Sequence, residues 1–301
     1  MSVSFEVAPN PSNASRHRVI FASPRNSIEA DSPSLETVSA EKQKDYSGTP
    51  VLPLDPMSST PFASTFDDPR VAPRFCRRVD HADGSVVLVG VVHDHPASVA
   101  RVEAVLDLVD TSVLALELPR PAIPLYRSYA REDAAVGGEM SVAIQAAPDA
   151  EVVGIDGPNL TVLRRLVTAL VSERAPTATV RRVLSSFGMA TKTAAECTVA
   201  AAITNTTSMT VVPSEPIEYG CDRSDPPMVQ AEHERTHVAT VRALLSGSRS
   251  RTISYRDETR EACMIDRLEK LRSRTTGPVV AVIGVDHLDA LEAGLNGESQ
   301  R

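Results

Sequence analysis

Two stretches decide the fold: Val87-Leu88-Val89-Gly90-Val91-Val92-His93 and Ala281-Val282-Ile283-Gly284-Val285-Asp286-His287. Each begins as a short aliphatic run, suited to a strand buried on both faces and too short for a globular helix. Each then reaches a glycine, which lets the backbone turn sharply or be closely approached, and carries a histidine three residues later. The repetition predicts a pair of related half-sites, with an imidazole just beyond each strand.

Outward from the first stretch, Arg74-Phe75-Cys76-Arg77-Arg78-Val79 alternates in period two, and Asp83-Gly84 predicts a hairpin into the buried strand. Beyond His93, the residues Val99, Val102, Leu106 and Val109 recur at helical spacing, with Arg101, Glu103, Asp107 and Asp110 on other faces. An apolar strand at Ser112 to Leu116 completes a β-α-β unit, which should cross over right-handed between parallel strands. Further elements are a helix near Gly138 to Ala147, a strand at Glu151 to Ile155, and a helix from Pro158 with Leu160, Leu163, Leu166 and Leu170 inside. Residues 174–250 read as mostly helical and broken around Pro213 to Pro227; a helix between Tyr255 and Arg272 precedes the closing strand Val279 to Ile283. The expected fold class is α/β, a mixed and largely parallel central sheet with flanking helices and a helical middle insertion.

A polar residue follows every apolar strand: His93, Glu117, Asp156 and His287. Ligands of open α/β sheets lie at the carboxyl ends of parallel strands, so these four groups should converge. Met264, Ile265, Leu268 and Leu271 form the inner stripe of the last long helix, and one turn back the stripe continues into Arg260 and Glu261. Charges on a buried stripe are costly unless paired or used. Arg260 is therefore a candidate for orienting a carboxylate or an anionic substrate group through its planar fork.

With 42% hydrophobic residues in 301, the chain can form one sizeable core with a tail. Residues 1–73, rich in Ser, Pro, Asp and Glu, are expected to be a disordered tail; 74–296 form the domain, and 297–301 a short tail. A net charge of −8 excludes non-specific nucleic-acid binding, which needs a basic face. The N-terminus shows no secretory pattern, and the apolar stretch from Cys197 to Val212 is too short and too interrupted to span a bilayer. Cys76, Cys197, Cys221 and Cys263 are scattered, which argues against a disulfide framework or a cysteine-rich zinc site and for a cytoplasmic setting. Lysine occurs only at Lys42, Lys44, Lys192 and Lys270; with the acidic surplus, this composition resembles that of salt-adapted archaeal proteins.

Five motifs stand in order: Gly90-x-x-His93, Leu116-Glu117-Leu118, Gly138-Glu139-Met140, Arg260-Glu261-x-x-Met264 and Gly284-x-x-His287. In that order they resemble the TraB/PrgY/TIKI family, whose fold is similar to that of erythromycin esterase-like proteins. The resemblance covers 74–296 and departs at Glu261, where the family usually has aspartate. It implies a metal-dependent, peptidase-like hydrolase with His93 and His287 as ligands and Glu117 as ligand or general base. Arg260 and Glu261 are the remaining catalytic candidates, and Asp94 and Asp286 possible partners of the histidines. The implied cofactor is a divalent metal (Mn²⁺, Co²⁺ or Zn²⁺), and the implied partner a peptide or small-molecule substrate. PrgY-like members suggest the alternative of a peptide-binding, sequestering protein without turnover. Ordinary structural roles compete: Glu117 as a paired carboxylate, and Glu139 and Asp156 as groups at helix starts.

His233-Glu234-Arg235-Thr236-His237 also matches His-Glu-x-x-His, a zincin signature, with Glu258 downstream as a possible third ligand. The charged neighbours Glu232 and Arg235 instead favour a solvated helix face, whose inner stripe would be Val238, Val241, Leu244 and Leu245.

Overall fold

The computed structural model describes residues 5–9, 17–21, 62–132, 134–158, 160–206, 209–212, 217–245 and 251–297. In chain order the strands and α-helices are β1 (Phe5–Pro9), β2 (His17–Phe21), β3 (Cys76–His81), β4 (Gly84–Val91), α1 (Pro96–Leu108), β5 (Val113–Leu116), α2 (Ile123–Glu132), α3 (Gly138–Ala146), β6 (Glu151–Gly154), α4 (Leu160–Ser172), α5 (Thr177–Thr206), β7 (Met209–Val212), α6 (Pro227–Leu245), α7 (Arg251–Arg274), β8 (Val279–Gly284) and α8 (Leu288–Leu295).

The central sheet has the order β3-β4-β8-β5-β6. Only β3 is antiparallel, joined to β4 by the predicted hairpin, whose turn uses Gly84 at φ +126°. The other four strands are parallel, with Gly90 opposite Ile283, and Leu116 opposite both Val282 and Gly154. This is the α/β fold class expected from the sequence, and the register levels the carboxyl ends of β4, β8, β5 and β6.

Period-two geometry sends alternate residues to opposite faces. Val87, Val89, Val91, Leu114, Leu116, Val280 and Val282 pack against Val102, Val105 and Leu106 of α1 and Met140, Ala143 and Ile144 of α3. Val86, Leu88, Val113, Ala115, Val279, Ala281 and Ile283 pack against Met264, Leu268 and Leu271 of α7 and Leu288, Leu291 and Leu295 of α8. A parallel sheet covered on both faces explains why its strands read as continuous apolar runs rather than alternating ones.

A second, smaller sheet pairs β1 antiparallel with β2, and β2 in parallel with β7. Of the segment expected as a tail, these two strands and the stretch from Phe62 fall among the described residues. Ala63, Val71 and Phe75 are buried, so the packed body begins ahead of position 74. The rest of 1–61 and residues 298–301 lie outside the described residues. Among the described residues no helix is long and apolar enough to cross a membrane.

Two readings of helix faces are corrected. Arg101, expected on an outer face of α1, is fully buried. On α6, Gln230, Ala231 and Glu234 are buried, while Leu244 of the expected inner stripe is 74% exposed. The cause is one pairing: Arg101 Nη1 reaches Glu234 Oε1 at 3.2 Å and Nη2 reaches Oε2, so these two charged positions turn inward together.

Replacing Ile283 by alanine should cost about 2–5 kcal/mol in urea unfolding, whereas Leu244→Ala should stay within about 0.5 kcal/mol. Glu234→Ala leaves a buried guanidinium unpaired and should cost about 3–5 kcal/mol by the same measurement.

Candidate functional site

Glu117 follows β5 directly and is fixed by both carboxylate oxygens. Oε2 accepts the Gly284 N–H at 2.6 Å, and Oε1 accepts from Arg260 Nη2 at 2.6 Å. Glycine at 284 gives this carboxylate room, since a Cβ would make a tight contact 3.3 Å from Glu117 Oε2. Gly90 has the matching reason: its N–H donates to the Phe75 carbonyl at 2.6 Å, and a Cβ would lie 3.3 Å from that oxygen. Of the two roles glycine offers at these positions, close approach is the one realised, because neither has a positive φ.

Arg260 also donates to both oxygens of Asp156, at 3.2 and 2.9 Å. Burial opposes its charge, but Asp156, Glu117 and Asp257 outweigh burial and raise its pKa above the ordinary arginine value. His287 is 8% exposed; its Nδ1 lies 2.8 Å from Glu261 Oε1 and its Nε2 3.5 Å from Glu117 Oε1. Burial pulls the His287 pKa down, yet Glu261 and Glu117 bring the net shift upward. Glu117, Asp156, Arg260, Glu261 and His287 thus form one network across the ends of β5, β6 and β8, which joins three of the four strand-end groups expected to converge and leaves His93 outside it.

His93 occupies a neighbouring wall. Its Nδ1 lies 2.6 Å from Glu139 Oε1, and the second oxygen of Glu139 accepts the Asp94 N–H at 3.0 Å. Glu139 is 2% exposed at the start of α3, so it is a buried partner of His93 rather than a solvated helix-start charge. The turn that allows this is tight. Asp94 has φ +59°, Gly138 has φ +57°, and a Cβ at Gly138 would collide with the Asp94 carboxylate. The Asp94 side chain accepts the Ile217 N–H at 3.3 Å, and Tyr219 donates its hydroxyl to the His93 carbonyl at 2.6 Å. Asp286 turns to Arg242 at 3.7 Å, so neither flanking aspartate holds its histidine by a direct side-chain bond. Carboxylates only accept, so Glu139 and Glu261 place the ring proton of His93 and His287 on Nδ1.

A third cluster was not anticipated. His95 is fully buried, its Nε2 lying 3.0 Å from His233 Nδ1 and 3.7 Å from Cys221 Sγ. Tyr219 and His237 lie edge-on and tilted against the same ring. Among the described residues, His95, Cys221 and His233 are the one group of three His, Cys, Asp or Glu side chains whose ligand atoms lie within 4.8 Å of one another. His93, His287 and Glu117 are not so close-set, and Glu258 joins no such group. The signal that could have revealed the cluster is the spacing His93-x-His95 together with Cys221 twelve positions before His233. The His-Glu-x-x-His motif therefore has a split fate. His233 joins the cluster, but Glu234 is locked against Ser98 Oγ at 2.5 Å and Arg101, fully buried, and cannot serve a water between His233 and His237.

A cavity of about 790 Å³ lies along the outer edge of β6 rather than over the network. It is lined by Arg120, Arg127, Arg131, Arg267, Lys270 and Arg274, a concentration of positive charge in an acidic chain.

The Glu139 carboxylate raises the His93 pKa from 6.5 to about 9, while burial, with His233 and His237 adding repulsion, depresses that of His95 from 6.5 to about 4. The stability contributed by His93 is thus full below pH 6.5 and lost as pH rises through about 9; that of His95 is full above 6.5 and lost as pH falls through about 4. NMR titration of the metal-free protein should find these two imidazoles ionising on opposite sides of neutrality, and Glu139→Gln should bring His93 back towards its ordinary value. No family model, curated protein or solved structure matches the chain.

Proposed function

We propose that the protein is a metal-dependent hydrolase of the TraB/PrgY/TIKI type, acting on peptides at the carboxyl ends of β4, β5 and β8. The observation that carries this reading is the engagement of the two motif histidines. Each gives Nδ1–H to a carboxylate, Glu139 at 2.6 Å and Glu261 at 2.8 Å, so that Nε2 is the nitrogen left for a metal, which would have to displace the Nε2 proton that the raised pKa of His93 keeps in place at neutral pH. Metal-binding imidazoles are held in this way in many proteins, because the carboxylate fixes both tautomer and ring orientation.

The donors fit such an ion. The 3.5 Å between His287 Nε2 and Glu117 Oε1 is close to the edge of about 3.4 Å expected for two ligands sharing a tetrahedral cation. Imidazoles and carboxylates suit Mn²⁺, Co²⁺ or Zn²⁺, and a bound ion of this kind acidifies a water and polarises a carbonyl. His287 and Glu117 would hold it, with His93 contributing from the adjoining wall. Glu117, immobilised by the Gly284 N–H and Arg260, is also placed to accept a proton from an attacking water. Arg260 supplies fixed positive charge for a substrate carboxylate or a developing oxyanion. The basic cavity starts at Arg120, three residues beyond Glu117, and favours peptides with acidic side chains.

One observation favours a second reading, peptide sequestration without turnover. Arg260 already neutralises the oxygen of Glu117 that faces His287, which lowers the attraction of this corner for a dication. The test is to load the full chain with Mn²⁺, Co²⁺ or Zn²⁺, incubate it with a mixed peptide library that includes acidic sequences, and follow products by mass spectrometry. Cleavage is expected, with Glu117→Gln and His287→Ala each lowering kcat/KM by about 10² or more. Saturable peptide binding with no product under any of the three metals would overturn the hydrolase reading in favour of sequestration.

A further inference from the structure

His95, Cys221 and His233 come from three separate segments: the turn between β4 and α1, the loop before α6, and α6 itself. Two imidazoles and a thiol are donors that suit a borderline-soft ion such as Zn²⁺. Around a tetrahedral zinc, two nitrogen ligands stand about 3.3 Å apart, and a nitrogen and a sulfur about 3.6 Å apart. The observed separations are 3.0 Å between His95 Nε2 and His233 Nδ1, and 3.7 Å between His95 Nε2 and Cys221 Sγ. Gly220 lets the loop approach this closely, since a Cβ there would lie 3.2 Å from His233 Nε2. We propose that His95, Cys221 and His233 form a zinc site distinct from the strand-end network, clamping the loop that carries Ile217 and Tyr219 onto α6 and the start of α1.

The fourth position falls to water or to His237, one turn further along α6, whose ring centroid is 6.5 Å from that of His95. In the metal-free form His95 Nδ1 accepts the Ala97 N–H at 3.1 Å, so Nε2 carries the ring proton and donates to His233. Zinc capture shifts that proton to Nδ1, ends the Ala97 bond, and releases the Cys221 thiol proton to solvent. The Ala97 helix-cap bond, the His95–His233 ring-to-ring bond and the Cys221 Sγ contact with His95 Nε2 are exchanged for two metal–nitrogen bonds and one metal–sulfur bond. The consequence reaches the neighbouring site, because the clamped loop carries Tyr219 and Ile217, which bond the His93 carbonyl and the Asp94 carboxylate.

The test uses Co²⁺ and Zn²⁺ with the full chain purified without affinity metal. Co²⁺ should give a tetrahedral d–d spectrum with a thiolate-to-cobalt charge-transfer band. The band should be absent in Cys221→Ser and His233→Gln, both checked for folding by circular dichroism, and present in His287→Ala and Glu117→Gln. Zn²⁺ at a hundredfold excess over Kd should raise Tm by roughly 5 °C in the wild type and not in Cys221→Ser. The strand-end network contains no sulfur, so loss of peptide cleavage with the band retained concerns that network alone. A wild-type spectrum without the thiolate band, or a band undiminished in Cys221→Ser, would overturn the proposal; the wild-type spectrum decides even if a variant fails to fold.

Discussion

The fully buried ion pair of Arg101 and Glu234 is the constraint on which the functional end of the molecule depends. Besides Glu234, the Arg101 guanidinium donates to the Gly90 carbonyl at 2.7 Å and the Arg70 carbonyl at 2.6 Å, and it stacks 4.1 Å from the centroid of the Phe75 ring. One side chain therefore joins the end of β4, the segment preceding β3, and α6. Two charges removed from water gain little net stability over apolar residues of the same shape, but a lone survivor would be very costly. What the pair supplies here is position. It turns α6 so that His233 and His237 face His95, and it steadies the end of β4 at Gly90, beyond which His93 lies.

Around that hub the sheet does the rest. Because β4, β8, β5 and β6 are parallel and level, residues far apart in sequence end on one rim. The two Gly-x-x-His segments are alike in sequence but acquire different surroundings. His287 sits low against Glu117 and Glu261, whereas the His93 side chain is 60% exposed and rests on Glu139. Each histidine nonetheless meets a carboxylate from a helix packed on the opposite face of the sheet, α3 for one and α7 for the other. Arg260 then binds Glu117 to Asp156, which ties the ends of β5 and β6 together.

Where the reading from sequence succeeded, the signal was local and periodic. The aliphatic runs of β4 and β8, the Asp83-Gly84 hairpin and the Met264-Leu268-Leu271 stripe each state their burial in their own spacing. The extension of that last stripe into Arg260 and Glu261 placed two network residues from a helical repeat alone. It failed where a charge was buried by a partner far along the chain. Arg101 looked solvated because nothing near it on α1 hints at Glu234, which lies 133 positions later. The same pairing corrected the reading of α6, whose buried positions are Gln230, Ala231 and Glu234, while Leu244 of the expected stripe faces solvent.

The sequence by itself determined the strands of the central sheet, their order of polar tips, and the residue types able to hold a cation or an acidic peptide, because side-chain periodicity and glycine placement are properties of neighbouring residues; β1 and β2 in the expected tail and β7 in the stretch read as helical were not legible in it. Only the tertiary structure decided which carboxylate holds which histidine, that Glu234 of the His-Glu-x-x-His motif points into the core, and that His95, Cys221 and His233 meet. Those facts depend on how α3, α6 and α7 dock around the sheet, and docking is fixed by pairings between distant groups that no local pattern encodes.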